Sequence, residues 1–455
     1  MRASALALVI ASGVALLPRS ARANGRFPAA QYVVLGPGAR ADHIALRTTF
    51  GVVVSVDAGA SWSWLCEELF DYSNGAPWDP PLAWGGATAN VPLFVGIPDG
   101  LSRTRDLCTA ARVPEAARDF TGDVTTTPDG ETVYWVGSNG AGPNRVLVSR
   151  DGGATFTVAG TIAAGALPLT IEAAGPRAER LYVTAVSTED SHAMLLRSDD
   201  GGAHFEDVAL DLGGGRDAYL AGVDPTNPDV VYLRSSLPGD DAGLPGGTVL
   251  LRSTDGARHF TPLARTSGPM LGFALSSDGR TVWYGGPSDR LWRSTDGGAF
   301  SRVNEVPVLC LRWHAGLLYV CAPFASEGYA LGRSVDDGRT VSPLVRFETL
   351  RGAPTCAAGT VGASVCAGRW PLIRQMFPAD DASVADASQL DASADGGAPP
   401  RPQPSDCACR ATPRDGGASI AAWGLLLGGA ACARRHRRIR RFGVKRRASW
   451  PHSAG

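Results

Sequence analysis

An all-β ring, a single seven-bladed β-propeller, is the fold class this 455-residue sequence predicts, and three observations predict it. A phrase of Ser or Thr, then Asp, Gly and an aromatic returns seven times. Counted from its first residue the copies fall at 55, 104, 149, 198, 253, 294 and 334, in steps of 49, 45, 49, 55, 41 and 40. Such steps match one four-stranded blade of about 40 to 50 residues. The residues between copies read as short strands broken by turns.

The copies differ in how fully they keep the phrase. Three read S-x-D-x-G-x-x-[WF]: Ser55/Asp57/Gly59/Trp62, Ser149/Asp151/Gly153/Phe156 and Ser198/Asp200/Gly202/Phe205. Four are worn. Ser253/Asp255/Phe260 has Ala257 in the glycine position, Ser294/Asp296/Gly298/Phe300 is one residue short, and Ser334/Asp336/Gly338 ends on Val341. Thr104/Asp106 carries Cys108 for the glycine and Ala111 for the aromatic. Physically the phrase is a hairpin turn. Carboxylate and hydroxyl bond turn N–H groups, glycine supplies a left-handed backbone, and the aromatic tucks between sheets.

Between copies, β-rich runs sit beside Gly-containing turns: Val133–Val136 after Pro128-Asp129-Gly130, Val282–Tyr284 after Ser277-Asp278-Gly279, and Leu318–Val320 after His314-Ala315-Gly316. Leu181–Val186 and Val230–Leu233 are similar, and Tyr32–Gly36, Ile44–Thr48 and Val52–Val56 precede the first copy. The 56 glycines and 32 prolines, with no sustained helical period, fit many strands and frequent turns. Cys356–Trp370 is expected to add late strands closing the ring on the first blade, because an unpaired edge invites aggregation.

The phrase resembles the Asp-box, or BNR repeat, of sialidases, sortilin-like receptors, some glycoside hydrolases and photosystem assembly factors. That resemblance implies that each copy sits on the outer turn between the third and fourth strands of a blade. It implies a structural role for these aspartates and not a catalytic one. Sialidases hold a carboxylated sugar with three arginines and use a Tyr/Glu pair and an acid/base Asp. Their F-R-I-P phrase has only a scrambled counterpart here in Arg26-Phe27-Pro28, and Arg47 is the one arginine suitably placed before the first copy. The xyloglucanase-type hydrolases work in a cleft between two propellers, and this chain has length for one.

The ends speak of export. Residues 1–23 read as a signal peptide: Arg2, an apolar stretch from Ala5 to Leu17, and Ala21-Arg22-Ala23 before Asn24. Residues 24–377 form the propeller, and 378–406 an Asp/Ala/Ser/Pro linker that cannot bury a core. In 407–455 the pair Cys407 and Cys409 precedes an apolar run, Ala418–Ala433, and arginines from Arg434 to Arg441. This order resembles the MYXO-CTERM sorting signal of myxobacterial surface proteins. The resemblance implies a sorting protease cutting near the cysteines and membrane association through a short transmembrane helix. Phe442–Gly455 continues where that family usually stops.

Twelve of the 43 basic residues fall in residues 1–23 and 434–447 while all 44 acidic residues lie between, so residues 24–433 carry about −13. Nucleic acid is excluded as a partner on that balance. Six cysteines belong to the propeller, Cys66, Cys108, Cys310, Cys321, Cys356 and Cys366, an even number that reads as disulfides in an exported chain. Spacing pairs Cys310 with Cys321 and Cys356 with Cys366 across hairpin turns, leaving Cys66 with Cys108. No metal motif is present within the propeller, and no cofactor is implied.

The densest polar and aromatic group, Trp62, Trp64, Glu67, Glu68, Asp71, Tyr72 and Trp78, is either a binding lip or an inter-blade loop with buried aromatics. His204 and His259 occupy equivalent turn positions in different blades, and Asp240-Asp241 is an acidic loop. The sequence therefore predicts an exported, cell-surface, non-catalytic binding or scaffold module for a glycan or protein ligand. Its alternatives are a divergent sialidase-like glycoside hydrolase and an assembly protein resembling the photosystem factors.

Overall fold

The computed structural model describes residues 27–377 except 73–78, 87–91, 141, 176 and 240–245. Its strands form seven antiparallel sheets of four, each built from consecutive strands in chain order. The first strand of each sheet touches the first strand of the next, and that of the seventh touches that of the first. A closed contact circuit through Ala30–Leu35, Leu82–Trp84, Phe120–Thr126, Ala166–Ala173, Tyr219–Val223, Gly272–Leu275 and Cys310–His314 defines a seven-bladed propeller with these as inner strands.

Burial follows from position in the blade. In blade 3 the second strand, Val133–Ser138, is buried at every residue because sheets of the neighbouring blades cover both its faces. It is accordingly a near-continuous run of β-branched and aromatic residues, with Tyr134 and Trp135 at 0% exposure. The fourth strand, Thr157–Ile162, lies on the perimeter and is mostly exposed. Side chains also stitch blade to blade: Tyr134 donates to the Ala178 carbonyl at 3.0 Å, Tyr182 to that of Pro228 at 2.8 Å, and Trp283 Nε1 to that of Asp337 at 2.9 Å.

The ring is locked from outside by residues that follow its last strand, Ser342–Val345. The chain crosses to the outer edge of blade 1, where Arg351 N donates to Trp62 O at 3.1 Å and Trp64 N to Gly352 O at 2.7 Å. Phe347 and Phe377 sink to 0% and 2% exposure against Phe50, each burial worth about 1.5–3 kcal/mol. Trp370 packs on Trp64, and Arg369 pairs with Glu68 at 2.7 Å.

Cys356–Trp370 adds no strand. Gly362–Cys366 is a π-helical turn that runs into an α-helix, Ala367–Arg374, because blade 1 already holds four strands of its own and offers no vacant position. The cysteine pairing changes with it. Cys310–Cys321 joins residues directly opposite on paired strands, as the spacing suggested. Cys356 and Cys366 are not partners, since the segment turns into a helix and does not return as a hairpin. Cys366 is carried to Cys66, and Cys356 to Cys108. These two bonds close loops of 300 and 248 residues and fasten the strap to blades 1 and 2. The expected signal peptide and linker, Cys407, Cys409 and the apolar tail lie outside the described residues. Among the described residues no helix is long and apolar enough to cross a membrane.

Candidate functional site

All seven copies of the repeated phrase fall in the turn after the third strand of a blade. In blade 4 the Ser198 hydroxyl donates to Asp200 at 2.9 Å and accepts from Gly202 N at 2.9 Å, while Asp200 accepts from His204 N at 2.9 Å. Blades 1, 3 and 7 repeat the clasp through Ser55/Asp57, Ser149/Asp151 and Ser334/Asp336. Gly59, Gly153, Gly202 and Gly338 all take φ near 90°. In blade 5 Ala257 occupies that left-handed position at φ 72° and still donates to Ser253 at 2.9 Å, with Asp255 accepting from His259 N at 3.0 Å.

Two copies depart further. Thr104 accepts from Leu107 N and Asp106 from Cys108 N, both at 2.9 Å, leaving the Cys108 side chain for its disulfide. In blade 6 the missing residue breaks the clasp: Ser294 donates to Gly298 O at 2.6 Å, and Asp296 swings to Arg280 at 2.5 Å. Trp62 and Phe156 are buried to 4% exposure, while Phe205, Phe260 and Phe300 are half-buried between blades.

Hydrogen bonding sets the acidity of these turns. The His204 N–H and then its imidazole hold Asp200 at about 2, and the Thr340 N–H with the Ser334 hydroxyl holds Asp336 at about 2. His204 and His259 each bond the aspartate of their own turn at 2.6 Å and so share no ligand. Asp240 and Asp241 lie outside the described residues, and among the described residues no His/Cys/Asp/Glu group is arranged to hold a metal.

The aromatic cluster after the first copy faces inward. Trp64 and Tyr72 are 2% and 4% exposed, and Trp64 Nε1 donates to Phe50 O at 2.8 Å. Glu67 and Glu68 begin a 3-10 turn, Glu67–Leu69, and Asp71 pairs with Arg112 at 2.7 Å. Trp78 lies outside the described residues. Trp64, against Trp370, and Glu68, paired with Arg369, seat the C-terminal strap.

The concave polar site is elsewhere, in the central channel. A cavity of about 600 Å³ opens where the inner strands begin, bounded by Ala29, Asp79, Leu271 and Leu309 just before or beside those strands. Antiparallel order puts the turn after each third strand at the opposite end of the blade, so the repeated turns and the cavity mouth lie on opposite faces of the ring.

Six side chains give the cavity its chemistry: Tyr32 and Arg47 of blade 1, Asp123 of blade 3, Glu172 of blade 4, Arg234 of blade 5 and Arg312 of blade 7. Arg47 therefore does not stand alone, as the sequence left it. Its guanidinium lies 5.4 Å from the centre of the Tyr32 ring and donates to Pro80 O at 3.3 Å. Arg234 donates to Met270 O at 3.0 Å and lies 5.9 Å from the centre of the Tyr219 ring. Backbone carbonyls and aromatic faces hold both heads in place.

Asp123 accepts from Val124 N at 2.8 Å and Ile171 N at 3.1 Å, and Glu172 accepts from the Thr125 hydroxyl at 3.1 Å. Among the described residues neither carboxyl forms an ion pair with an arginine. Burial, reinforced by the nearby Glu172 charge, pushes Asp123 up to about 7. Burial also raises Glu172, against the opposing pull of Arg312, and lifts Tyr32 to about 12. Protein encircles these side chains, which meet solvent through the lumen. None of this was visible along the sequence, because the six residues are up to 280 positions apart.

No protein-family profile matches the chain, and none of the curated proteins matches it by sequence. Among solved structures it is similar to an ancestral GH74 enzyme, at 15% identity and a TM-score of 0.47, over 70% of this chain and 44% of that one. A puromycin-hydrolyzing peptidase of Mycobacterium tuberculosis gives 15% identity and a TM-score of 0.47, over 70% and 53%. YCF48 bound to a D1 peptide gives 17% and 0.33, over 50% and 69%. The chain thus spans less than two thirds of the first two, and its seven-bladed ring rests on its own strand order.

Proposed function

We propose that this chain is a propeller binding module that takes a small anionic ligand at its channel mouth. The observation carrying this reading is the convergence of Arg47, Arg234 and Arg312, from blades 1, 5 and 7, on one cavity of about 600 Å³. Guanidinium groups recognise carboxylate and phosphate oxygens by paired N–H donors, and a cavity of this size suits a ligand and not a solvent molecule. Export and retention at the cell envelope complete the reading. They are supported by the leader-like residues 1–23, the sequence of cysteines, apolar run and arginines in residues 407–441, and three disulfides, bonds that persist in oxidising compartments. The test is calorimetric titration of the full-length chain with citrate, inorganic pyrophosphate and glucuronate. At least one should bind, and Arg234→Gln should weaken it about tenfold or more. No binding by any of the three would overturn the reading.

One observation favours a second reading, hydrolysis of an acidic sugar. Asp123 keeps its proton to about pH 7 and shares the cavity with Glu172 and Tyr32, so an acid, a carboxylate and a phenol face the arginines. Fluorogenic sialosides and glucuronides decide it: turnover lost in Asp123→Asn would establish catalysis, and no turnover would leave binding alone.

A further inference from the structure

The cavity holds both signs of charge. Arg47, Arg234 and Arg312 come from blades 1, 5 and 7, Asp123 and Glu172 from blades 3 and 4, and Asp79 lies beside Arg47. Where a propeller merely neutralises its channel, opposite charges close on each other as ion pairs. Here the blade 3 and 4 carboxyls are steadied by backbone N–H and hydroxyl donors, and among the described residues they pair with no arginine. A carboxylate has about four acceptor sites, so each retains capacity for a further donor. The wall also carries apolar side chains, Leu220, Leu271, Phe273 and Leu309.

Resting on the anion-binding reading above, we infer that the ligand is a zwitterion, a short peptide or amino acid with both ends free. Its carboxylate meets Arg47, Arg234 and Arg312, and its ammonium meets Asp123 and Glu172. A purely anionic ligand would set like charge beside Glu172 and leave the remaining acceptor capacity of both carboxyls unused. The position of Asp123 adds a signature. Glu172, Arg47, Tyr32, Arg312, Arg234 and Asp79 are the charged and titratable groups around it, and together with burial they leave it protonated below about pH 7. An arriving ammonium favours the ionised carboxylate, so binding at pH 6 releases a proton.

Calorimetry on the full-length chain with trialanine, N-acetyl-trialanine and trialanine amide tests this. Trialanine should bind about tenfold tighter than either blocked form, since each block removes one charge-assisted contact. Its binding heat at pH 6 should vary with buffer ionisation enthalpy, reporting the released proton. Glu172→Gln should reduce the preference for trialanine over N-acetyl-trialanine to about equal affinity, and Asp123→Asn should remove the proton release. Equal affinities for trialanine and its N-acetyl form would overturn the zwitterion assignment, as would failure of trialanine to bind. If citrate, pyrophosphate or glucuronate still bound, the anion site would stand. Silence from every probe would remove both.

Discussion

On the turn face, outside the broken blade 6 copy, the repeated Ser or Thr and Asp are bonded within their own few residues, as Ser198 is to Asp200 and Gly202. At the channel mouth the groups that define the site, from Tyr32 to Arg312, come from five different blades. The first arrangement is scaffold repeated by local chemistry, and it can be copied, worn or lost one blade at a time. The second exists only once the ring has closed. The contrast separates what makes this chain a propeller from what it does.

Breaking closure is the strongest way to test that separation. Cys66→Ser with Cys366→Ser opens a bond spanning 300 residues and should cost about 2–5 kcal/mol, read as a lower urea midpoint. Because the strap lies on the outer edges of blades 1 and 2, ligand affinity in the folded fraction should be unchanged. A matching loss of affinity would mean that the two regions are not independent.

The turns themselves sharpen the comparison. Ser198→Ala removes two bonds of a buried hydroxyl and should cost about 1–2 kcal/mol. Ser294→Ala, in the broken blade 6 clasp where only the bond to Gly298 is made, should cost about half as much. Equal losses would show that the clasp geometry contributes nothing. Ala257→Gly tests the worn glycine position: a left-handed alanine is strained by about 1–2 kcal/mol, partly offset by glycine's freedom when unfolded, so a gain of about 0.5–1 kcal/mol is expected.

Acid should act on the turn face most gently. Asp200 and Asp336 are depressed from 3.8 to about 2, so the stability they contribute is present above 3.8 and lost as pH falls through about 2. Asp123 has the opposite sign, raised from 3.8 to about 7, and disfavours the folded state increasingly as pH rises between those values. Asp123→Asn should therefore flatten the fall in stability between pH 4 and 7, measured by denaturant midpoints, and leave the acid limb untouched.

The seven blades were legible because a turn motif needs only five to eight consecutive residues, and its spacing counts blades directly. Even Ala257 and the shortened Asp296 copy were recognisable as worn members, and each wears in a way the geometry explains. Cys310–Cys321 was readable for the same reason, being local to one hairpin. The strap was not. Its cysteines find partners 300 and 248 residues away, whereas nearness in sequence suggested a Cys356–Cys366 hairpin pair, with Cys66 left to Cys108, and the turn into the helix at Ala367–Arg374 rules that pairing out. The cluster from Trp64 to Tyr72 drew attention by composition, and two of its members, Trp64 and Glu68, hold that strap. Arg47 was noticed from its position before the first turn, but Arg234 and Arg312 are two arginines among 42 and carry no local signature. Ring closure alone brings them to Arg47.

The most direct measurement of the account is a paired titration of Arg234→Gln and Asp200→Ala with whichever of citrate, pyrophosphate or glucuronate binds the unaltered chain. The channel variant should lose about tenfold or more in affinity with its denaturation midpoint intact, while the turn variant should keep its affinity and lose stability. Full affinity in Arg234→Gln, or an affinity lost in folded Asp200→Ala, would contradict it.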